Sequence, residues 1–272
     1  MKNHSGHRLF LFLPLAFLIV FFYYPLGIIL HKAFFPEGHF TLGFLKDICS
    51  QDWQRSVILF TFKQAIFSLM VTLAIGLPIT LIFTYYDFPF KKTLKAISMI
   101  PFVLPGITVA LGFILFYGQQ GAVNRFLGLF NLKISVLYSL KAILLAHAFY
   151  NVPLLVKMLG DTLESFNRNL ILSARTLGAS KFQTFLTVTL PCIIPSLLNV
   201  SLLIFLYCFM SFGIVLVLGD VKYTTMEVNI YILVKHLLET EKGIALSFLQ
   251  ILISLIMLNL SNYFSGKHQR LS

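Results

Sequence analysis

The sequence contains few charged residues. Only 11% of its 272 residues are charged and 58% are hydrophobic, whereas a soluble domain carries about 25% charged residues. This shortage excludes an ordinary soluble protein and indicates a chain that folds largely within a bilayer. Acidic residues are rarer than basic ones, 10 against 21, and the net charge is +11. Because no nucleic-acid-binding motif accompanies the basic residues, we interpret them as loop residues facing anionic lipid, and we expect no nucleic-acid partner.

Cysteine is also rare, and a nucleotide-binding motif is missing. Cys49, Cys192 and Cys208 form neither a CxxC pair nor a cluster with histidine, so the sequence predicts no metal site and no disulfide framework. The chain has no GxxxxGK[ST] loop and therefore cannot hold ATP phosphates itself. We expect no cofactor and no catalytic residues, and we predict that the protein is not an enzyme.

Six apolar stretches are long enough to cross a bilayer, which requires roughly 20 residues for a ~30 Å core. Backbone groups in lipid must bond within their own segment, so these stretches are predicted to be helices. We therefore predict an all-α integral membrane protein with one transmembrane domain over 1–272. The predicted spans are 9–30, 57–85, 96–117, 137–158, 191–217 and 244–264.

The first apolar run is interpreted as a retained span and not as a signal peptide. It covers 9–30, which is longer than a cleavable core of about 7–15 residues, and no small-x-small cleavage site follows it. The distribution of basic residues favours an orientation with the N- and C-termini inside. Both termini are basic, and the short loop "DFPFKKTLK" contains three lysines. The predicted inner cations are Lys2, Arg8, Lys91, Lys92, Lys95, Lys157, Arg168, Arg175, Lys181, Lys267 and Arg270.

Prolines interrupt several of the predicted spans. Each one removes a helix hydrogen bond and favours a kink. The densest group is in the third span, where Pro101 and Pro105 are followed by Gly106 and Gly112. We predict that this helix is bent near the centre of the bundle.

A polar segment at 159–190 separates the fourth and fifth spans. Gly178 is predicted to break its first helix, and Ser180 to cap a second helix that starts at Lys181. Pro191 then fits the first turn of the fifth span. The first helix places apolar residues three and four apart on one face, at 163, 166, 170, 174 and 177. This apolar face must be buried against the chain's own helix ends, against the membrane surface or in a partner's groove. The residues alone do not choose among these three possibilities.

Part of this segment, "SARTLGASKFQTFLTVTLP", resembles the EAA loop of binding-protein-dependent ABC importer permeases. The family pattern is Glu-Ala-Ala, three residues, Gly, nine residues and Ile-x-Leu-Pro, and the loop precedes the next-to-last span, as it does here. The matching positions are Ala174, Gly178, Val188, Leu190 and Pro191. The resemblance implies that the segment is a cytoplasmic loop that couples the permease to an ATPase.

Two positions depart from the family pattern. Leu172 replaces the glutamate and Ser173 replaces the first alanine. In the family that glutamate is associated with an ion pair to the ATPase, so the resemblance does not carry this ion pair over to the present chain. Docking by shape remains implied. The residues assigned to the contact are Ser173, Ala174, Gly178, Ala179, Phe182, Leu190 and Pro191.

Four further stretches are similar to the thiamine and iron(III) branch of these permeases: "FTFKQAIFSLMVTLAIGLPITLIF", "YGQQGAVNRFLGLF", "ILLAHAFYNVPLLVKML" and "CFMSFGIVLVLGD". Many members of the branch are double-length fusions, and this chain is similar to one six-span half, best to the first. The resemblance implies a type I (MetI-like) six-helix bundle in a bacterial inner membrane. It also implies a second permease half, identical or different, ATPase subunits and an extracytoplasmic binding protein.

The expected cargo is a small solute. The branch favours thiamine or iron(III), and polyamine, sulfate and phosphate remain alternatives. An ion-coupled secondary transporter is the alternative from a different class, but it would need buried acids, and no Asp or Glu lies deep in any predicted span. A membrane-embedded enzyme would need Asp, His or Arg clustered at one membrane face, and the sequence shows no such cluster.

Polar residues within the spans are candidates for the translocation path. His147 and Asn151 are four residues apart and share one helical face. Polar groups at membrane depth usually face the bundle interior or a cavity. The same residues could instead form interhelical hydrogen bonds, worth about 0.6 kcal/mol on average, and both interpretations stay open. Asn199 and Ser211, from the fifth predicted span, complete the candidate set.

Overall fold

The computed structural model describes residues 12–35, 38–41, 43, 48, 50–165 and 168–268. Within these ranges the chain is helical and contains no β-strand, which confirms the predicted all-α class. Of the residues that the sequence singled out, Lys2, Arg8, Cys49, Phe166 and Arg270 lie outside the described part of the chain.

The helices are α1 (Tyr24–Phe34), α2 (Asp52–Tyr85), α3 (Lys91–Ser98), α4 (Ile100–Val103), α5 (Gly106–Tyr117), α6 (Ala122–Gly128), α7 (Leu140–Ser165), α8 (Arg168–Thr176), α9 (Lys181–Thr184), α10 (Leu190–Phe209), α11 (Gly213–Leu218), α12 (Met226–Lys235) and α13 (Thr240–His268). Two π-helical turns, Ile19–Tyr23 and Phe185–Thr189, lead directly into α1 and α10. A 3₁₀ turn covers Val221–Tyr223.

Six segments are long and apolar enough to cross a membrane, which confirms the predicted number of spans. Their bounds differ from the predicted ones mainly at the third and fifth spans. The six segments are Phe12–Lys32, Asp52–Tyr85, Gly106–Gly128, Leu140–Ser165, Lys181–Phe209 and Thr240–Leu260.

The third span is broken where the sequence predicts only a bend. The chain leaves helical geometry at Leu104, whose ψ of 144° is extended, and α5 restarts at Gly106. Pro105 explains the break, because proline lacks an N–H donor and disfavours a helical residue immediately before it. The span therefore begins at Gly106 and not at residue 96 as predicted.

The fifth span is also broken. α10 ends at Phe209, and α11 begins at Gly213, although the apolar run continues to residue 217. α11 packs against α5. This packing depends on a close backbone approach, because a Cβ on Gly213 would lie 3.0 Å from the backbone nitrogen of Ile107. The sequence signals an apolar run, but the packing with α5 is a tertiary feature that the run does not reveal.

The chain forms two compact units. One comprises Met1–Arg55 with Asn229–Gln250, and the other comprises Ser56–Val228 with Ile251–Ser272. In the first unit, the Phe34 and Phe248 rings meet edge to face at 5.0 Å. In the second unit, α7 packs against α10 and is buried along most of its length, so α7 forms the centre of that unit.

Candidate functional site

The segment of residues 168–190, called here the elbow segment, consists of α8, a turn at Gly178, α9 and a π-helical turn that enters α10. Gly178 has a φ of +90°, a left-handed conformation that glycine adopts without penalty. The Ala179 N–H donates to the Ala174 carbonyl at 3.1 Å, and the Gly178 N–H donates to the Arg175 carbonyl at 3.0 Å. These two bonds form a Schellman motif that ends α8. The predicted glycine elbow is confirmed.

Ser180 caps the helix that follows the elbow, as the sequence predicts. Its hydroxyl accepts from the Gln183 N–H at 3.1 Å, and its own N–H donates to Gln183 Oε1 at 2.9 Å. This reciprocal pair is a capping box, which satisfies two backbone donors that the helix leaves free. The predicted placement of Pro191 in the first turn of α10 is likewise confirmed. The elbow therefore has a defined conformation that is held by its own hydrogen bonds.

The apolar side chains of the elbow segment are largely uncovered. Leu172, Leu177 and Phe182 are 59%, 88% and 70% exposed. The predicted single apolar face is incomplete, because Leu163 belongs to α7 and is buried whereas Leu177 is almost fully exposed. The chain's own helix ends thus do not cover this surface. Of the predicted contact residues, Ser173, Gly178, Phe182 and Pro191 are exposed, and Ala174, Ala179 and Leu190 are half-buried.

The elbow segment carries basic residues and no acidic ones. Arg175 and Lys181 are exposed, and neither has a carboxylate within ion-pair distance in the described part of the chain. The sequence from 168 to 190 contains no Asp or Glu. The surface is therefore apolar and cationic.

Ion pairs surround the end of α7 that precedes the elbow segment. Lys95 of α3 lies 3.0 Å from Glu164 and 3.8 Å from Asp161, and Lys157 lies 3.3 Å from Asp161. All four side chains are partly exposed, so each pair contributes little, about 0–1 kcal/mol. The contact between Lys95 and Glu164 was not predicted, because the two residues are 69 positions apart in the chain.

A second group of polar residues lies inside the helix bundle and is called here the polar cluster: Gln64, Ser68, His147, Asn151 and Cys208. All five are at most 1% exposed. Ser68 Oγ lies 2.8 Å from His147 Nδ1, and Gln64 Nε2 donates to the Cys208 carbonyl at 2.7 Å. Asn151 Nδ2 lies 3.0 Å from the His147 carbonyl and 3.4 Å from Cys208 Sγ. The cluster thus joins α2, α7 and α10.

Three buried atoms of the polar cluster have no hydrogen-bond partner among the described residues: Gln64 Oε1, His147 Nε2 and Asn151 Oδ1. An unsatisfied buried polar group costs about 1–3 kcal/mol. Of the residues in the cluster, His147 and Asn151 were predicted as polar candidates, whereas Gln64 and Ser68 were not. A usable signal was present, since these two residues are four apart in the second span and share a helical face.

The two remaining path candidates lie outside the polar cluster. Asn199 is half-buried on α10, roughly 13 Å along the helix axis from Cys208 at 1.5 Å per residue. Ser211 is half-buried in the break after α10, where its N–H donates to the Cys208 carbonyl at 3.4 Å. The structure therefore unites His147 and Asn151 within the cluster, joins Ser211 to it only through the Ser211 backbone N–H, and places Asn199 away from it.

The sequence matches known transport proteins. A model of the family described as "Binding-protein-dependent transport system inner membrane component" matches residues 76–269. The chain is 32% identical over 222 residues to the thiamine transport system permease protein ThiP of Haemophilus influenzae, which covers 81% of this chain and 41% of that protein. It is 36% identical over 161 residues to the probable sulfate transport system permease protein cysT of Prototheca wickerhamii, which covers 59% of this chain and 62% of that protein. The matches thus span less than two thirds of either relative.

The fold also matches a solved structure, that of a bacterial alginate ABC transporter in complex with an alginate pentasaccharide-bound periplasmic protein. The TM-score is 0.78 at 18% identity, and the match covers 96% of this chain and 93% of that one. At this identity the likeness is evidence of a shared fold only, and it confirms the predicted fold class.

Proposed function

The chain belongs to the family of binding-protein-dependent transport system inner membrane components, and from this premise we propose that it is the membrane-spanning permease subunit of an ATP-driven importer. Membership of the family confirms the resemblance that the sequence of the elbow segment indicated. With six apolar helices, the chain is a multi-pass protein of the inner membrane. ATP hydrolysis is assigned to partner subunits, because the chain carries no phosphate-binding loop.

The observation that carries this proposal is the exposure of the elbow segment. Its conformation is fixed by the Schellman motif at Gly178 and the capping box at Ser180, yet Leu172, Leu177 and Phe182 remain uncovered. The sequence predicts that this segment is cytoplasmic, and an ordered apolar surface there favours a partner that buries it. An ATPase subunit docked on the cytoplasmic side is the partner that the family implies.

A mechanical role follows from the connections of the elbow segment. It continues through the Phe185–Thr189 turn into α10, and it follows α7 in the chain. α7 and α10 pack against each other and share the polar cluster. A displacement of the elbow segment by ATPase closure is therefore expected to move α7 and α10 as one body. We propose that this movement, relative to a second permease half, switches the permease between an inward-open and an outward-open state.

The extracytoplasmic partner is assigned to a solute-binding protein. The family takes its description from such systems, and the alginate transporter of similar fold was solved in complex with a pentasaccharide-bound periplasmic protein. The second permease half is an identical or a different chain. The matched region covers 41% of the thiamine permease, which is compatible with a half-size unit of that relative.

Thiamine is the first candidate for the substrate. It rests on the Haemophilus influenzae relative, which is 32% identical over 222 residues. Iron(III) rests on the sequence resemblance alone. Sulfate is the second candidate, since the Prototheca wickerhamii relative is 36% identical over 161 residues.

The candidate path residues divide into two groups. His147 and Asn151 are buried, and each bonds to another helix, His147 to Ser68 of α2 and Asn151 to Cys208 of α10, which supports interhelical hydrogen bonding as their role in this conformation. Asn199 and Ser211 are only half-buried, so we keep them as candidates for the path itself.

The test is purification of the tagged chain from its native membrane, followed by uptake assays that compare cells lacking its gene with the same cells after the gene is restored. An ABC ATPase is expected to co-purify, and uptake of radiolabelled thiamine is expected to depend on ATP. Labelled iron(III) and sulfate are assayed in parallel to identify the cargo. Uptake that survives ATP depletion but stops when the ion gradient is collapsed would identify a secondary transporter and overturn the proposal.

A further inference from the structure

We infer that the partner of the elbow segment presents a two-walled apolar groove with acidic side chains at its edge. The inference rests on the proposed function and adds the chemistry of the docking surface. It reverses the charge expected from the family pattern, in which the acidic residue belongs to the permease. Here Leu172 stands at that position, and the charged residues of the surface are cations.

The apolar residues of α8 point to two sides of the helix. Leu170 and Leu172 are two residues apart, which places them about 160° apart around the axis at about 100° per residue. Both are exposed, at 48% and 59%. Leu177 follows Leu170 by seven residues and so lies on the same side as Leu170. A single flat surface cannot cover both sides, whereas a groove with two walls can.

This geometry favours a protein groove over the membrane surface. A helix that lies on a bilayer buries one apolar face and keeps its cations opposite. In α8, Arg175 lies about 140° around the axis from Leu170. Leu172, however, precedes Arg175 by three residues and shares its side, so on a bilayer Leu172 would stay exposed to water with the cation. Lys181 and Phe182 are likewise adjacent and exposed at the start of α9.

Charge complementarity predicts the charge of the side chains at the edge of the groove. Arg175 and Lys181 flank the exposed leucines and Phe182, and neither has an ion-pair partner in the residues that the structure describes. With no Asp or Glu in residues 168–190, the segment offers only positive charge to a partner. Carboxylates at the edge of the groove would complement both cations, and apolar side chains inside it would bury the leucines.

The decisive variant restores the family's acid. In the complex purified with its ATPase and reconstituted in liposomes, Leu172→Glu is expected to weaken ATPase association at least ten-fold, because it places a carboxylate inside an apolar groove. Arg175→Glu with Lys181→Glu is expected to weaken association by a similar factor and to reverse its dependence on NaCl, because salt would then screen repulsion and not attraction. Arg125→Glu, an exposed cation on α6, is the matched control and should leave association unchanged.

Three results would overturn the inference. In the first, Leu172→Glu binds the ATPase as well as or better than the wild type. In the second, the double charge reversal changes neither affinity nor salt dependence. In the third, a cysteine introduced by Leu177→Cys, with Cys49 and Cys192 replaced by serine, is shielded from a water-soluble maleimide by phosphatidylglycerol vesicles without ATPase. That result would assign the surface to the membrane.

If the proposed function itself is wrong, the experiment gives a result that differs from these three. If the wild-type chain recovers no ATPase at all, both the proposed function and this inference are wrong. If the wild type binds the ATPase and Leu172→Glu binds it equally well, only the chemistry assigned to the groove is wrong. Leu172 is 59% exposed, so its substitution is not expected to disturb folding.

Discussion

The polar cluster and the elbow segment differ in where their partners lie. The five polar cluster residues are at most 1% exposed and bond to one another across three helices. The elbow segment is ordered by its own hydrogen bonds but exposes its leucines, Phe182 and two cations. The hydrogen bonds of the first region are made within the chain, although Gln64 Oε1, His147 Nε2 and Asn151 Oδ1 have no partner among the described residues, whereas the second region presents the surface that we propose another molecule covers. Substitutions in the polar cluster should therefore act on stability, and substitutions in the elbow segment on coupling.

The largest effect is expected from Gly178→Val. A β-branched residue is strongly disfavoured at a φ of +90°, so the elbow must change conformation and lose its Schellman bonds. Uptake and transport-stimulated ATPase activity should fall more than ten-fold while the protein still inserts in the membrane. Gly178→Asn should retain activity, since asparagine tolerates this conformation.

Gly112→Val is the matched control for this substitution. A Cβ on either glycine meets no atom within 4 Å, but only Gly178 has a positive φ. Normal uptake in Gly178→Val would show that the elbow conformation is not needed for coupling. The distinction between a polar cluster that acts on stability and an elbow segment that acts on coupling would then be wrong.

A smaller effect is expected from Ser180→Ala, which removes the capping box. Loss of a cap costs about 1 kcal/mol, which corresponds to a roughly five-fold larger equilibrium population of locally opened α9. Amide hydrogen exchange over residues 181–186 should increase by this factor, and stimulated ATPase activity should fall two- to five-fold. Ser165→Ala is the control, because the Ser165 hydroxyl bonds to the Thr162 carbonyl within its own helix. Unchanged exchange would contradict the assigned role of the cap.

Asn151→Leu tests the polar cluster. It removes the bonds from Asn151 to the His147 carbonyl and to Cys208 Sγ, and it also removes the unpartnered Oδ1 atom. The net loss of stability should be about 0.6 kcal/mol, the average for interhelical bonds in membranes, and uptake per folded complex should be unchanged. Thermal unfolding in detergent and reconstituted uptake measure the two quantities.

Asn259→Leu is the matched control for the polar cluster. Asn259 also donates to a carbonyl four residues earlier, that of Leu255, but it is exposed and lies on α13, which contributes no residue to the cluster. An Asn151→Leu protein that is fully stable but inactive in uptake would instead place Asn151 in the translocation path.

The smallest effect is expected from Lys95→Met. Glu164 and Asp161 are about half exposed, so the ion pairs should contribute less than about 1 kcal/mol and uptake should change less than two-fold. The difference from wild type should disappear at high salt. Lys92→Met on the same helix is the control. A loss above ten-fold would mean that the tie between α3 and α7 is part of the coupling route.

Local features of the structure follow from the sequence because neighbouring residues produce them. The Gly178 elbow, the Ser180 cap and the position of Pro191 each depend on residue type within a few positions. The number of spans follows in the same way from the length of the apolar runs. Breaks were harder to predict, since Pro105 indicates a kink but does not tell whether the helix bends or stops.

The sequence by itself determined the six spans, the all-α class and the elbow, because hydrophobicity, helix breaking and capping act over short distances along the chain. Only the tertiary structure decided that His147 meets Ser68 and that Gln64 meets the Cys208 carbonyl, pairs that are 79 and 144 residues apart. It also decided that Leu177 stays exposed whereas Leu163 is buried, although both were predicted on one face. The physical reason is that burial depends on which helices become neighbours, and that choice is made by packing across the whole bundle.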